Sequence, residues 1–157
     1  MKKVLIALDY DPTAKKVAEV GFDFAKAMGA EIVLLHVVSD PVYYSSTDYS
    51  PIMGFTGYMN MDPLQLNAVE ELKNASLKFL DKTRSHLGDA NIQTAVEEGD
   101  LASTILKTAK KLEADVIVMG SHSQKWLENI VMGSVTEEVL RQSVTPLFII
   151  PTRKHKN

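Results

Sequence analysis

The chain contains no cysteine, which excludes disulfide scaffolds, thiol nucleophiles, thiolate zinc sites and iron–sulfur clusters. Nor is there a surplus of positive charge. Lys and Arg number 17 against 20 Asp and Glu, a net charge of −3, so the chain offers no cationic field to a phosphate backbone and nucleic acid is not an expected partner. Long apolar runs are also missing. After Met1, Lys2 and Lys3 come five apolar residues at 4–8 before Asp9 interrupts, whereas a signal-peptide core needs about 7–15 and a membrane span about 20. That start reads as a strand, no membrane partner is expected, and a reducing, cytoplasmic setting fits.

Several chemical signatures are absent as well. The turn after the first apolar run is Asp9-Tyr10-Asp11-Pro12, which leaves no room for a Gly-x-Gly-x-x-Gly dinucleotide fingerprint, and no Gly-x-x-x-x-Gly-Lys-[Ser/Thr] loop occurs anywhere. Gly120-Ser121-His122-Ser123-Gln124 lacks the second glycine of a nucleophile elbow and places its serines wrongly for one. The 4 histidines form no pair at metal-ligand spacing. His36 sits inside an apolar run and reads as a satisfied core residue rather than a ligand-binding one. His86 reads as solvent-facing. His155 belongs to a basic tail, 153–157, expected to be disordered.

What remains is the composition of an ordinary globular domain: 157 residues, 45% hydrophobic and 24% charged, which suits one domain spanning 1–152. Short runs rich in β-branched and aliphatic residues at 4–8, 32–38, 91–96, 116–119 and 147–150 have strand length. Longer stretches between them have helical spacing. Val17, Val20, Phe24 and Met28 mark one, stopped by Gly29. A second is opened by Asp62-Pro63 and closed by Gly88, and a third runs from Leu101 to Leu112 with Asp100 as N-cap. A fourth covers about 134–143. Because the first, second and fourth strands are apolar on both faces, they predict a parallel sheet covered by helices on each side. The fold class is therefore α/β: a doubly wound five-stranded parallel sheet of the flavodoxin-like (Rossmann-like) type. Ligands of such sheets bind beyond the carboxyl ends of the strands, which directs attention to Asp9, the region after Val38 and the loop after Met119.

Two segments leave alternatives open. Residues 39–62 form a stretch of 24 residues without periodicity, rich in Tyr, Met, Ser and Gly, against a usual connection of about 4–6. A lid over a ligand, a strip buried in a subunit interface and a mobile loop all account for it. Residues 124–132 carry Trp126, Leu127, Ile130, Val131 and Met132, an apolar face suited either to core packing or to an interface.

The most informative stretch is Gly120-Ser121-His122-Ser123, nine residues from Gln124 to Met132, then Gly133-Ser134-Val135-Thr136. A strand ends at Met119, and a helix begins near Ser134 with Glu137 at capping-box spacing. Helix starts carry unpaired N–H groups and favour anions. Gly133 would let a phosphate approach, and Ser134 and Thr136 would add hydroxyl donors. Turn glycines and a serine N-cap with no ligand explain the same residues equally well.

This pattern resembles the nucleotide-binding signature of the universal stress protein family, G-x-x-G, nine residues, G-[ST]. The opening Val4-Leu5-Ile6-Ala7-Leu8-Asp9, the run Leu34-Leu35-His36-Val37-Val38, the segment Ala114-Asp115-Val116-Ile117-Val118-Met119-Gly120 and the ending Val144-Thr145-Pro146-Leu147-Phe148-Ile149-Ile150 extend the likeness over nearly the whole chain. The resemblance implies a flavodoxin-like homodimer and, in one branch of the family, bound ATP or AMP without a dedicated catalytic centre. Carried over, Ala7 and Asp9 would line the ribose and adenine side, and the Val37 backbone would meet the adenine edge. Met119, Gly120 and His122 would flank sugar and phosphates, with Gly133, Ser134, Val135 and Thr136 as the phosphate cradle. Asp9 would assist a Mg²⁺ ion carried by the nucleotide. Ser123 departs from the pattern, standing where the family has its second glycine. A left-handed backbone there would cost a non-glycine residue about 1–2 kcal/mol, and the serine hydroxyl could itself donate to a phosphate. Two functions follow: a homodimeric ATP-binding stress protein paired through Leu147–Ile150, or a nucleotide-free interaction dimer of the same fold. No general base stands out, so no enzymatic activity beyond slow ATP hydrolysis is expected.

Overall fold

The computed structural model describes residues 1–39, 63–121 and 133–152, without the side chains of 63–68. Strands β1 (Lys3–Ala7), β2 (Glu31–Val38), β3 (Gln93–Glu98), β4 (Val116–Gly120) and β5 (Leu147–Ile150) alternate with helices α1 (Ala14–Ala27), α2 (Pro63–Leu87), α3 (Leu101–Leu112) and α4 (Ser134–Gln142). Every ladder is parallel, and the strand order is β3-β2-β1-β4-β5. The α/β doubly wound architecture expected from the two-sided apolar strands is the one found.

β1 lies at the centre, with Ile6 opposite Leu34 on one side and Val118 on the other. Its residues alternate between two cores. Val4 and Ile6 pack with Ala18, Ala25 and Leu80 beneath α1 and α2, whereas Leu5 packs with Ala102, Ile105, Ala109 and Val139 beneath α3 and α4. Each parallel crossover must carry a helix over one face, so both faces of the central strands are dry. The β3 and β5 edges are only half-buried.

Helix ends follow local chemistry. Gly29 and Gly88, with φ of 65° and 74°, take the left-handed backbone that stops α1 and α2. The Asp100 carboxylate accepts the Ser103 N–H at 3.1 Å and caps α3 as its spacing predicts. Ser103 also holds that carboxyl below the usual range, first through its N–H and then through its hydroxyl. β3 starts two residues later than the apolar run because Asp89 ties down the preceding turn, its carboxylate accepting the Asn91 N–H at 2.9 Å.

α4 departs from expectation. Its N-cap is Gly133, not Ser134, and no side chain caps it. Glu137 therefore does not close a capping box but pairs with Arg141 one turn on.

His36 is buried, as its apolar neighbours suggest, and its Nδ1–H donates to the Leu8 carbonyl at 2.9 Å. Burial lowers its pKa below the ordinary value, with the Leu8 hydrogen bond and the Asp9 charge opposing the shift. His86 reaches Glu19 at 2.8 Å on the half-exposed surface. Residues 40–62 and 122–132 and the tail 153–157 lie outside the described residues.

Two outcomes follow for stability. A Cβ on Gly21 of α1 would come within 3.0 Å of both Ile6 Cδ1 and Val118 Cγ1. Gly21→Val is expected to lower stability by about 1–3 kcal/mol through overpacking, read from the urea midpoint. Because His36 has a lower pKa folded than unfolded, the unfolded chain takes up the proton first. Its contribution is complete above about pH 6.5 and is lost as the pH falls through the lower folded value. Urea titrations between pH 7.5 and 5 should show wild type losing stability relative to His36→Asn, which cannot titrate.

Candidate functional site

The sheet changes direction between β1 and β4: from β1 the chain winds outward through β2 to β3, then crosses back to β4 and β5. Loops leaving the carboxyl ends of β1 and β4 must therefore diverge, and a crevice opens between them. A cavity of about 70 Å³ occupies this place. Drug-sized ligands fill about 300–1,000 Å³, so the cavity is the floor of a cleft and a nucleotide-sized ligand would extend beyond it.

Its lining comes from strand ends and from the helices that start beside them. β1 and its turn supply Ala7, Leu8 and Asp9; β2 supplies Leu35 and Val37; β4 supplies Met119 and Gly120. The first turns of α1, α3 and α4 add Thr13, Ala14 and Val17, Leu101 and Ile105, and Gly133, Val135 and Thr136. Asp9 is the only charged residue among these. Leu35, Val37, Ile105 and Met119 make the floor apolar, fit for a flat aromatic group, while Asp9 can accept hydrogen bonds from hydroxyl or amino groups.

The two halves of the glycine-rich pattern meet here. The Gly133 N–H donates to the Ser121 carbonyl at 2.7 Å, and Thr136 Oγ1 donates to the Gly120 carbonyl at 2.9 Å. Residues 12 and 16 apart in sequence thus become neighbours. Ser121 also binds β5: its N–H donates to the Ile150 carbonyl at 2.9 Å, and its Oγ accepts the Thr152 N–H at 3.0 Å.

This geometry revises part of the sequence reading. Of the named residues, Ala7, Asp9, Val37, Met119, Gly120, Gly133, Val135 and Thr136 line one cavity. Thr136 does not hold its hydroxyl ready for a phosphate, because its one proton is engaged by Gly120. Ser134 is exposed and stands outside the lining. What the start of α4 presents is its backbone: the N–H groups of Ser134, Val135 and Thr136 precede the first intrahelical bond, from Glu137 to Gly133. His122 and Ser123 lie outside the described residues.

Sequence reasoning missed Leu8, Leu35, Thr13, Ala14, Val17, Leu101 and Ile105. The signal for the helix residues was present, since any helix that follows a parallel strand begins at the ligand-binding end of the sheet. Among the described residues there is no cluster of three or more His, Cys, Asp or Glu able to hold a metal ion. None of the described helices is long and apolar enough to cross a membrane.

Comparison with known proteins bears on the fold and the family. A universal stress protein from Methanocaldococcus jannaschii, MJ0531, is 30% identical over 98% of this chain and 84% of its own length. The solved structure of a second protein, MJ0577, has a TM-score of 0.71 and 26% identity, covering 98% of each chain. A universal stress protein from Archaeoglobus fulgidus, solved in complex with dAMP, shares the fold with a TM-score of 0.59 at 17% identity, covering 95% of this chain and 97% of its own. The family model described as the Universal stress protein family matches residues 1–151, and with that match the chain belongs to the universal stress protein family.

Proposed function

We propose that the β1–β4 cleft binds an adenine nucleotide, ATP or AMP, and that the chain acts as a cytoplasmic homodimeric module in stress response whose occupancy alters its interactions. The observation that carries the nucleotide reading is the pairing of Gly133 with Ser121 and of Thr136 with Gly120 beside an apolar floor. That pairing brings the start of α4 to a cleft whose lining combines an apolar floor with one carboxylate, Asp9. The base would lie over Val37 and Met119, Asp9 would accept from the ribose, and the phosphates would meet the start of α4. The A. fulgidus relative held with dAMP supports this choice of ligand class.

Mg²⁺ fits as an ion brought by the nucleotide. A single carboxylate, Asp9, together with phosphate oxygens and water suits its octahedral demand, where it would neutralise phosphate charge. The residues present suggest binding rather than turnover.

Homodimerisation rests on the β5 edge. Among the described residues no strand follows β5 in the sheet, and beside it Leu140 is 49% and Val144 100% exposed, around a shallow depression with Pro146, Leu147 and Ile149. An apolar edge of this kind invites strand pairing, and an isologous contact across a two-fold axis closes it. Phe148 is already engaged within the protomer, stacked on Phe24 at 4.4 Å. A dimer without nucleotide is the second reading, favoured by this same patch.

Calorimetry with ATP, AMP and cyclic AMP separates the two readings. Gly133 has φ −66° and ψ 156°, a conformation open to β-branched residues. Gly133→Val should therefore fold normally yet lose nucleotide affinity by tenfold or more, about 1.4 kcal/mol; unchanged affinity would remove α4 from the site. For the dimer, light scattering should find a dimer at micromolar concentration and a monomer for Leu140→Glu/Val144→Glu. The exposed positions mean the melting temperature of the separated protomer should report a folded chain.

A further inference from the structure

The turn that carries Asp9 is braced from the face of the sheet opposite the cavity floor. The β1 ladder ends at Ala7, opposite Leu35. One residue on, the Leu8 N–H still reaches the Leu35 carbonyl at 2.8 Å, but the chain is leaving the sheet and among the described residues no ladder partner follows for the Leu8 carbonyl. The His36 side chain takes that place with its Nδ1–H at 2.9 Å. The Leu8 carbonyl belongs to the peptide plane that enters Asp9, so fixing it fixes the direction from which Asp9 emerges. Phe79 of α2 backs the arrangement. It lies edge-on to His36 with ring centroids 6.0 Å apart, and its other neighbour is the Tyr10 ring at 4.8 Å. Tyr10 in turn donates its N–H to the Asp9 carboxylate at 2.9 Å. Leu8, Asp9 and Tyr10 are thus held by β2 and α2 while Asp9 alone of the three offers a charge to the cleft.

We propose that His36 is a positioning residue for ligand selection: through the Leu8 carbonyl it sets Asp9 to receive the ribose hydroxyls, so that the brace governs preference for a nucleotide with an intact diol over one without. This rests on the nucleotide reading of the cleft. His36 touches no ligand itself. It acts on Asp9, the only charged residue among the described lining residues, and a ligand lacking the diol is indifferent to it.

The experiment compares ATP with 2′,3′-dideoxy-ATP by calorimetry on wild type, His36→Phe, His36→Asn and Asp9→Asn. A hydrogen bond to a charged group corresponds to roughly tenfold or more in affinity, so wild type should prefer ATP by about that factor. His36→Phe fills the space without a donor. It should lose about fivefold or more for ATP and less than twofold for the dideoxy analogue, with no additional loss when combined with Asp9→Asn. His36→Asn, whose amide can donate from nearly the same point, should restore ATP affinity to within about twofold. Equal losses for both ligands in His36→Phe, or full additivity with Asp9→Asn, would show a general structural role and overturn the proposal. Wild type that binds ATP without preferring it would overturn it too, leaving the nucleotide reading intact. If wild type binds neither ligand, the nucleotide reading itself falls. Should His36→Phe fail to fold, His36→Leu takes its place. Amide exchange in the ligand-free protein gives a separate check: Asp9 and Tyr10 should exchange faster by about tenfold in the donor-less variant and not in His36→Asn, while β1 and β2 keep their protection. Unchanged exchange there would overturn the brace.

Discussion

A parallel strand with neighbours on both edges and helices on both faces has no contact with water, and β1 is held to that condition by Val4, Leu5 and Ile6, all completely buried. Such a strand cannot be reached by hairpins. Each neighbour has to arrive by a crossover that passes over one face, and the two faces are closed by different helix pairs, α1 with α2 and α3 with α4. The crevice between β1 and β4 is the geometrical residue of this arrangement, because the chain winds away from β1 in one direction and returns on its other side.

At the mouth of that crevice, backbone groups that would have continued the ladders need new partners. Three side-chain solutions appear: His36 on the Leu8 carbonyl, Thr136 on the Gly120 carbonyl, and Ser121 on the Thr152 N–H. Each neutral hydrogen bond contributes about 1 kcal/mol. Their larger effect is directional, since they decide where the loops leave the sheet and hence which groups face the cleft. Polar residues that look like ligand contacts in a motif can instead be the fasteners that build it, as Thr136 is.

The two edges of the sheet are treated differently. β3 ends in Glu97 and Glu98, and Lys73 of α2 pairs with Glu98 at 3.2 Å, so charge guards that edge. β5 has no comparable guard in Leu147–Ile150 and adjoins exposed Leu140 and Val144. One edge is built to stay single and the other has the composition of a contact surface.

Periodicity alone determined the order and type of every element described here, because a residue buried on both sides must be apolar wherever it sits in the chain. It placed the stops at Gly29 and Gly88 and the cap at Asp100, where a single residue's conformational or hydrogen-bonding preference decides the outcome. The motif also picked out two of the segments that line the cleft, at Gly120 and at Gly133–Thr136. Only the tertiary structure decided what each side chain does there. The Thr136 hydroxyl turned to Gly120, Phe148 to Phe24 and His36 to Leu8. Leu101 and Ile105 entered the lining from a helix whose sequence shows only an amphipathic stripe. Local sequence encodes which surface a residue belongs to, but the partners of Thr136, His36 and Phe148 lie 16, 28 and 124 positions away, and those contacts exist only once the strands have been laid side by side.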